Sequence, residues 1–282
     1  FSIADVIRSI PSMMDGLKPS QRKVLYACRK RDNKTVKVSQ LVGYISTTTS
    51  YHHGEASLMS TVIGMAQDYV GSNGMNLLLP DGQFGTRLMG GKDAASPRYI
   101  FTKLSQFATK LFKDEDESLL EFLDDDGTLI EPKHYYPVLP TILINGGEGI
   151  GTGYSTGVPC YNPEDIIANI KRICDGKKPK KMQPWYKGFT GKIEEGENST
   201  YITEGKMTKT SKKIEITELP IGKWTSDYKE FLETLAGVDV ENHSTDTNIR
   251  FVLTGNIENL NEKNLKLTTS ISTRNMHLFD EN

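Results

Sequence analysis

In the stretch A-S-P-R-Y-I-F-T (95–102), a tyrosine follows an arginine and a proline just after the loop G-G-K-D-A-A (90–95). Two uses of Tyr99 follow from its chemistry. A phenol ring commonly buries its body and leaves its hydroxyl wet, and a phenol oxygen can also act as a nucleophile that forms a covalent intermediate. With an ordinary pKa of about 10, a phenol attacks poorly at neutral pH. A guanidinium beside it, as in Arg98, can hold a phosphate and neutralise the charge that develops during in-line attack. Y-H-H-G-E (51–55) is a second candidate, because it opens a helix. Helix starts offer unpaired N–H groups and partial positive charge to an anion, and His52 and His53 add donors. Zinc is the rival ligand, but adjacent histidines seldom share one metal and no cysteine accompanies them.

The glycine loop G-G-E-G-I-G-T-G (146–153) fits neither G-x-G-x-x-G nor a G-K-[ST] phosphate loop. Its unusual residue is Ile150, flanked by Gly149 and Gly151. That side chain either anchors the loop in a core or stands free as a wedge able to enter a base step and kink a duplex. The acidic runs 114–117 and 124–126 lack the spacing of a calcium loop and read as solvated charge. No acidic cluster suited to a catalytic metal is evident.

The elements that would carry these residues can be traced along the chain. Segment 16–31 begins as a helix with Pro19 in its first turn. Val24, Leu25 and Cys28 face inward there, while Arg22, Lys23, Arg29, Lys30 and Arg31 coat the other sides. A second helix covers 38–45, and a threonine-rich break at 47–50 follows. A third runs over 55–70, with Leu58, Val62, Met65, Ala66 and Tyr69 as one apolar stripe. Helix, break, helix in a basic segment is the outline of a helix-turn-helix reader, though ordinary helical hairpins share it. The glycine-rich stretch 71–98 reads as short strands and loops, a wing, and 103–112 as a further helix. Beyond Pro137 and Pro140, T-I-L-I-N (141–145) reads as a buried strand. Asn162-Pro163-Glu164-Asp165 starts a helix whose core face is Ile166, Ile167, Ile170 and Ile173. Strands at 213–217 and 249–253 and a helix at 226–235 complete a mixed second part.

Bulk properties bound the class. With 282 residues, 37% hydrophobic and 25% charged, the chain is long enough for about two packed domains. No apolar run is long enough for a membrane span. The chain opens at Phe1 without a methionine, as expected of a piece of a longer protein. Three widely spaced cysteines, Cys28, Cys160 and Cys174, fit a reducing compartment. The net charge of −2 conceals an asymmetry: residues 1–110 carry 14 Lys+Arg and 7 Asp+Glu, leaving 20 basic and 29 acidic residues for 111–282. The first part has the balance of a polyanion binder.

Taken together, R-S-I-P-S-M-M-D-G-L-K-P-S-Q-R-K-V (8–24), Y-H-H-G-E (51–55), G-Q-F-G-T-R (82–87), G-G-K-D-A-A-S-P-R-Y-I (90–100), L-I-N-G-G-E-G-I-G-T-G (143–153) and I-T-E-L-P (216–220) resemble the eukaryotic DNA topoisomerase II family. They are more distantly similar to the A subunit of bacterial gyrase. The resemblance runs in order over nearly the whole chain. It implies an α+β chain: a winged-helix DNA-binding and cleavage domain over 1–137 and a mixed tower domain over 138–282. By the same resemblance Tyr99 is the nucleophile that becomes linked to a 5′ phosphate. Arg98, Arg8 and His53 support the reacting phosphate. Ile150 inserts between base pairs, and Lys18, Arg22, Lys23, His52, Arg87 and Lys92 belong to the DNA-binding surface. The resemblance also implies double-stranded DNA as partner, a homodimer, a nuclear location, and Mg2+ and ATP as cofactors. The family's ATPase domain, its magnesium-binding TOPRIM module and its coiled-coil exit gate have no counterpart in these 282 residues. The expectation is therefore a piece that carries the nucleophile of an ATP-hydrolysing type II topoisomerase without its metal ligands. Two rivals without cleavage chemistry are a winged-helix protein that bends DNA and a structural replication protein with an incidental basic face.

Overall fold

Residues 1–280 are described by a computed structural model. Its architecture is mixed α+β, with helices dominating the first half and small antiparallel sheets the second.

The first core gathers around three helices, α2 (Pro19–Lys30), α3 (Val38–Thr48) and α4 (Glu55–Ala66). They follow α1 (Ser2–Ser9), a helix not expected from the sequence. Val24, Leu25 and Cys28 of α2 are buried against Leu41, Val42 and Ile45 of α3 and Leu58, Val62, Met65 and Ala66 of α4. α3 runs past residue 45 and ends within the expected break: Thr49, buried, caps its end by donating its hydroxyl to the Ile45 carbonyl at 2.8 Å. α4 stops four residues early. Gln67 turns to an extended conformation, and the Asn73 amide donates to the Gly64 and Gln67 carbonyls at 2.7 and 2.8 Å, closing the helix end. Tyr69 thus leaves the helical stripe and meets Trp224 edge-on.

The expected wing is mostly turns. Its sheet contribution is small: β1 (Val36–Lys37) pairs antiparallel with β2 (Phe101–Thr102), and bridges join Leu78 to Leu104 and Asp81 to Phe101. α5 (Gln106–Leu111) is shorter than expected because Ser105 caps it, accepting from the Ala108 N–H at 3.0 Å. A hairpin of β3 (Phe122–Asp125) and β4 (Thr128–Pro132) follows.

The run 141–145 is a correction. Instead of a strand it forms a short helix, α6 (Thr141–Asn145), with Thr141, Ile142 and Ile144 buried. A brief apolar run has no period of its own, and Pro140 supplies a helix start. Next come the hairpin β5 (Gly147–Gly151) and β6 (Tyr154–Val158), then α7 (Pro163–Cys174), capped by the Asn162 side chain on the Glu164 N–H at 3.0 Å. Of the expected core face of α7, Ile166 is buried and Ile170 packs beside it, whereas Ile167 and Ile173 are exposed. Ile144, Tyr161 and Ile166 make a small core, and Phe107 and Leu139 pack against both it and the first core.

Beyond it lie β7 (Lys192–Glu195), β8 (Thr200–Glu204), β9 (Lys206–Lys209), β10 (Ile214–Glu218), α8 (Thr225–Glu233), β11 (Val238–Asn242), β12 (Phe251–Gly255) and β13 (Thr268–Ser272). They form a three-stranded sheet, β13-β8-β7, and a four-stranded sheet, β11-β12-β10-β9. Tyr228 and Leu232 of α8 cover Ile214, Ile216, Phe251 and Leu253 in a separate core.

Candidate functional site

Tyr99 lies on a turn between Ser96 and buried Ile100, with 72% of its surface exposed. Main-chain bonds pin that turn on three sides. The Tyr99 N–H donates to the Ser96 carbonyl at 2.9 Å, closing the turn. Val38 and Ser39 open α3 with N–H groups that have no partner within the helix. They donate to the Ile100 and Pro97 carbonyls at 3.0 Å each, one on either side of Arg98-Tyr99. The Ala95 N–H reaches the Gln83 carbonyl at 2.9 Å. Arg98 and Tyr99 are therefore two exposed side chains on a fixed backbone, close to the start of a helix.

The loop before the turn is braced from below. Asp93 accepts from the Thr86 N–H at 2.8 Å and the Thr86 hydroxyl at 2.5 Å, while Lys92 beside it is exposed. Trp224 lies so close over Gly90 that a Cβ there would meet its indole at 2.4 Å.

His52 and His53 are exposed ahead of Gly54, which caps α4 without a side-chain hydrogen bond. The His53 ring meets Tyr51 edge-on at 5.5 Å, and His52 Nε2 stands 3.6 Å from the Asp125 carboxylate.

Arg8 and Ile150 belong to one unit. α1 lies against β5, whose glycines all turn toward their neighbours: a Cβ on Gly149 would stand 2.0 Å from the Ser9 carbonyl, and one on Gly151 would stand 3.0 Å from Val6 Cα. Strand alternation then sends Glu148 and Ile150 to the other face. Ile150 is 85% exposed, so the core-anchor alternative fails for this residue. Arg8, partly exposed, stands 3.7 Å from Asp5 on the same helix. Lys18, at the start of α2, donates from Nζ to the Glu148 carbonyl at 2.6 Å. Its partial burial lowers its pKa, opposed by the nearby Glu148 charge, and two of its three donors stay free for an anion.

Three basic residues of the expected DNA surface are committed elsewhere. Arg22 is buried. Its guanidinium donates to Asp15 at 2.7 and 3.0 Å and to the Leu17 carbonyl at 3.0 Å. Asp15, missed from the sequence, also accepts from the Leu17 and Tyr135 N–H groups and so organises the D-G-L-K-P-S-Q-R segment. Lys23 donates to the Thr49 carbonyl at 2.7 Å and to buried Glu131 at 2.9 Å. Arg87 is 5% exposed and paired with Glu218 at 2.5 Å. Arg22 and Arg87 are buried and Lys23 is half-buried, each with its charge paired inside the chain. In each case a carboxylate remote in sequence, or one with no expected role, sequesters the cation.

Tyr99 and Arg98 share one turn, and Arg8, Lys18 and Ile150 converge around one hairpin. Among the described residues, no hydrogen bond or ion pair joins Tyr99 or Arg98 to His53 or Arg8. Nor does any group of three or more His, Cys, Asp and Glu side chains gather in a form able to hold a metal ion. No helix among the described residues is long and apolar enough to cross a membrane.

Known proteins resemble this chain along its whole length. A DNA topoisomerase 2 from Arabidopsis thaliana is 51% identical over 301 residues, covering 100% of this chain and 20% of that protein. DNA topoisomerase 2-alpha from Homo sapiens is 49% identical over 299 residues, covering 99% of this chain and 20% of that protein. The crystal structure of the Plasmodium falciparum topoisomerase II DNA-binding, cleavage and re-ligation domain superposes with a TM-score of 0.97 at 49% identity, over 100% of this chain and 41% of that one. The chain therefore spans about a fifth of the length of the curated relatives it matches. Residues 8–282 also match the family of the A subunit of DNA gyrase/topoisomerase IV, and the chain belongs to that family.

Proposed function

We propose that this chain is the DNA breakage-and-rejoining core of a type IIA topoisomerase, with a winged-helix domain over 1–137 and a tower domain over 138–282. The observation that carries this reading is Tyr99: an exposed phenol beside an exposed guanidinium on a backbone fixed at both ends. The reaction is a transesterification. The Tyr99 oxygen attacks a backbone phosphorus of double-stranded DNA and loses its proton to solvent or a base. The bond from phosphorus to the 3′ oxygen breaks, and that oxygen takes up a proton to leave as a 3′ hydroxyl. The phosphate stays on Tyr99 through its 5′ side. One ester is exchanged for another, so resealing is the same step reversed and needs no external energy.

Arg98 neutralises the charge that grows on the phosphate oxygens, and Arg8 and His53 add to that field once the duplex is seated between the elements that carry them. Ile150 enters a base step and bends the duplex. Lys18, Lys92 and His52 contact the backbone, which carries little sequence information, so site preference is loose. In the longer protein the reading calls for a homodimer that cuts both strands, for ATP and Mg2+, and for a nuclear location. No group of three or more His, Cys, Asp and Glu side chains gathers among the described residues, and no step is assigned to a metal.

The test is the covalent adduct. In the protein supplied with a magnesium-binding module, in cis or in trans, denaturant quenching traps protein on the 5′ end of cut DNA. Tyr99→Phe abolishes the adduct while DNA binding persists. Equal trapping by Tyr99→Phe and the parent would remove Tyr99 from its role.

A further inference from the structure

β5 presents Ile150, and on its inner face it has no side chains with which to hold itself in place. Its inner face is the backbone of Gly147, Gly149 and Gly151, and α1 approaches it too closely for any Cβ at Gly149. Along β6, residues 275–277 grip the hairpin: the Gly157 N–H donates to the Asn275 carbonyl at 2.7 Å, the Asn275 amide donates at 2.8 Å to the hydroxyl of Ser155, the residue paired with Ile150, and the His277 N–H donates to the Thr156 hydroxyl at 3.0 Å. The tip, Thr152-Gly153, has a different hold. Both the N–H and the hydroxyl of Thr152 donate to one oxygen of Asp5, each at 2.8 Å. The other Asp5 oxygen faces Arg8 at 3.7 Å, one turn along α1.

We propose that Asp5 is a positioning residue that latches the hairpin tip to α1, fixing Ile150 for insertion and tying that wedge to Arg8. The inference rests on reading Ile150 as a DNA wedge. An aliphatic side chain on a free tip must lose the tip's motion on entering a base step, and a tip already fixed has less motion to lose. Hydrogen bonds to an ionised acceptor are the stronger kind, and these two close on the turn next to Ile150. Through Asp5, the helix that carries the candidate phosphate-binding arginine also sets the height and direction of the wedge.

Bending of a short duplex, read by energy transfer between dyes at its two ends, tests the latch. Ile150→Ala should abolish the bend. Asp5→Ala should lower the equilibrium between bent and straight duplex by about tenfold, on the scale of one net hydrogen bond, because the pair is exposed to solvent. Thr152→Val, which keeps one of the two donors, should give an intermediate loss. On a duplex bent in advance by a central bulge, Asp5→Ala should bind as the parent does. In an Ile150→Ala background it should change nothing further.

A duplex that the parent leaves straight, or that Ile150→Ala bends normally, overturns the wedge reading and the latch with it. A normal bend from Asp5→Ala beside a loss from Ile150→Ala overturns the latch alone. So does a deficit in Asp5→Ala that persists on the pre-bent duplex or reappears in the Ile150→Ala background, because that pattern marks damage to the fold.

Discussion

A charged residue does one of two opposite jobs depending on where its counter-charge lies, and Arg87 illustrates the second. Its guanidinium meets Glu218 in the interior, and the same carboxylate accepts from the Leu219 N–H at 2.9 Å and from the Thr190 N–H and hydroxyl at 3.1 Å each. Arg87 Nε is buried without a hydrogen-bond partner among the described residues. Removing one member strands the other as an uncompensated interior charge. Glu218→Ala should therefore lower the unfolding free energy by about 3–5 kcal/mol in denaturant titrations, and pairing it with Arg87→Met should recover part of that loss. Nothing local in G-Q-F-G-T-R could reveal this, because the partner lies 131 residues away. The exposed Tyr99 and Ile150 drew attention for the converse reason: an Arg-Tyr pair after a proline and an isoleucine between glycines are anomalies of local sequence. The cysteines carry a second residue-scale prediction. Burial pushes the Cys28 and Cys160 thiols from 9.0 up to about 12, whereas Cys174 is exposed. A thiol reagent at pH 8 should label one cysteine per native chain and three per unfolded chain. Between about pH 9 and 12 the unfolded chain releases these two protons and the folded chain keeps them. Stability should therefore fall as pH rises, by about 1.4 kcal/mol per pH unit for each thiol.

At the scale of elements, what the sequence disclosed depended on whether an element carries its own period. The α4 stripe did, and its buried residues are the expected ones up to Ala66. T-I-L-I-N did not, and a tertiary setting made it helical. α1 was missed although Ile3, Val6, Ile7 and Ile10 recur at i, i+3, i+4 and i+7, a helical stripe; within the chain the helix buries no residue. Gly149 and Gly151 of β5 are explained by the helix laid across them, and Gly147 by Pro11 and Ile142, which is a matter of contact rather than of propensity. Gly149→Ala would put a methyl 2.0 Å from the Ser9 carbonyl, so α1 must lift. The expected cost is about 1–3 kcal/mol in thermal or chemical unfolding, with the tip bonds to Asp5 loosened. Gly43→Ala is the control: it sits inside α3 with nothing within 4 Å of the added carbon. There the gain in helix propensity should stabilise the chain by about 0.5–1 kcal/mol.

Over the whole molecule, the excess positive charge of residues 1–110 overstates what a polyanion can use. Arg22, Lys23 and Arg87 are bound to carboxylates, and the Arg29 guanidinium is held by the Phe112 carbonyl at 2.5 Å and by Asp114 at 2.7 Å. Arg98 and Lys92 are exposed on the Tyr99 side of the first core, and Lys18 and Arg8 border the Ile150 hairpin. A phosphate contact shows itself in the dependence of binding on salt, because each neutralised phosphate releases condensed counterions and steepens the slope of log K against log salt by about 0.9. Lys92→Gln and Arg98→Gln should each flatten that slope by roughly one while leaving the unfolding midpoint near that of the parent. Arg22→Gln should do the reverse: the slope is kept and the midpoint falls, because buried Asp15 loses its partner. A titration series in potassium chloride on a fixed duplex separates the two classes of cation. A slope unchanged by both Lys92→Gln and Arg98→Gln would move the duplex away from the Tyr99 turn.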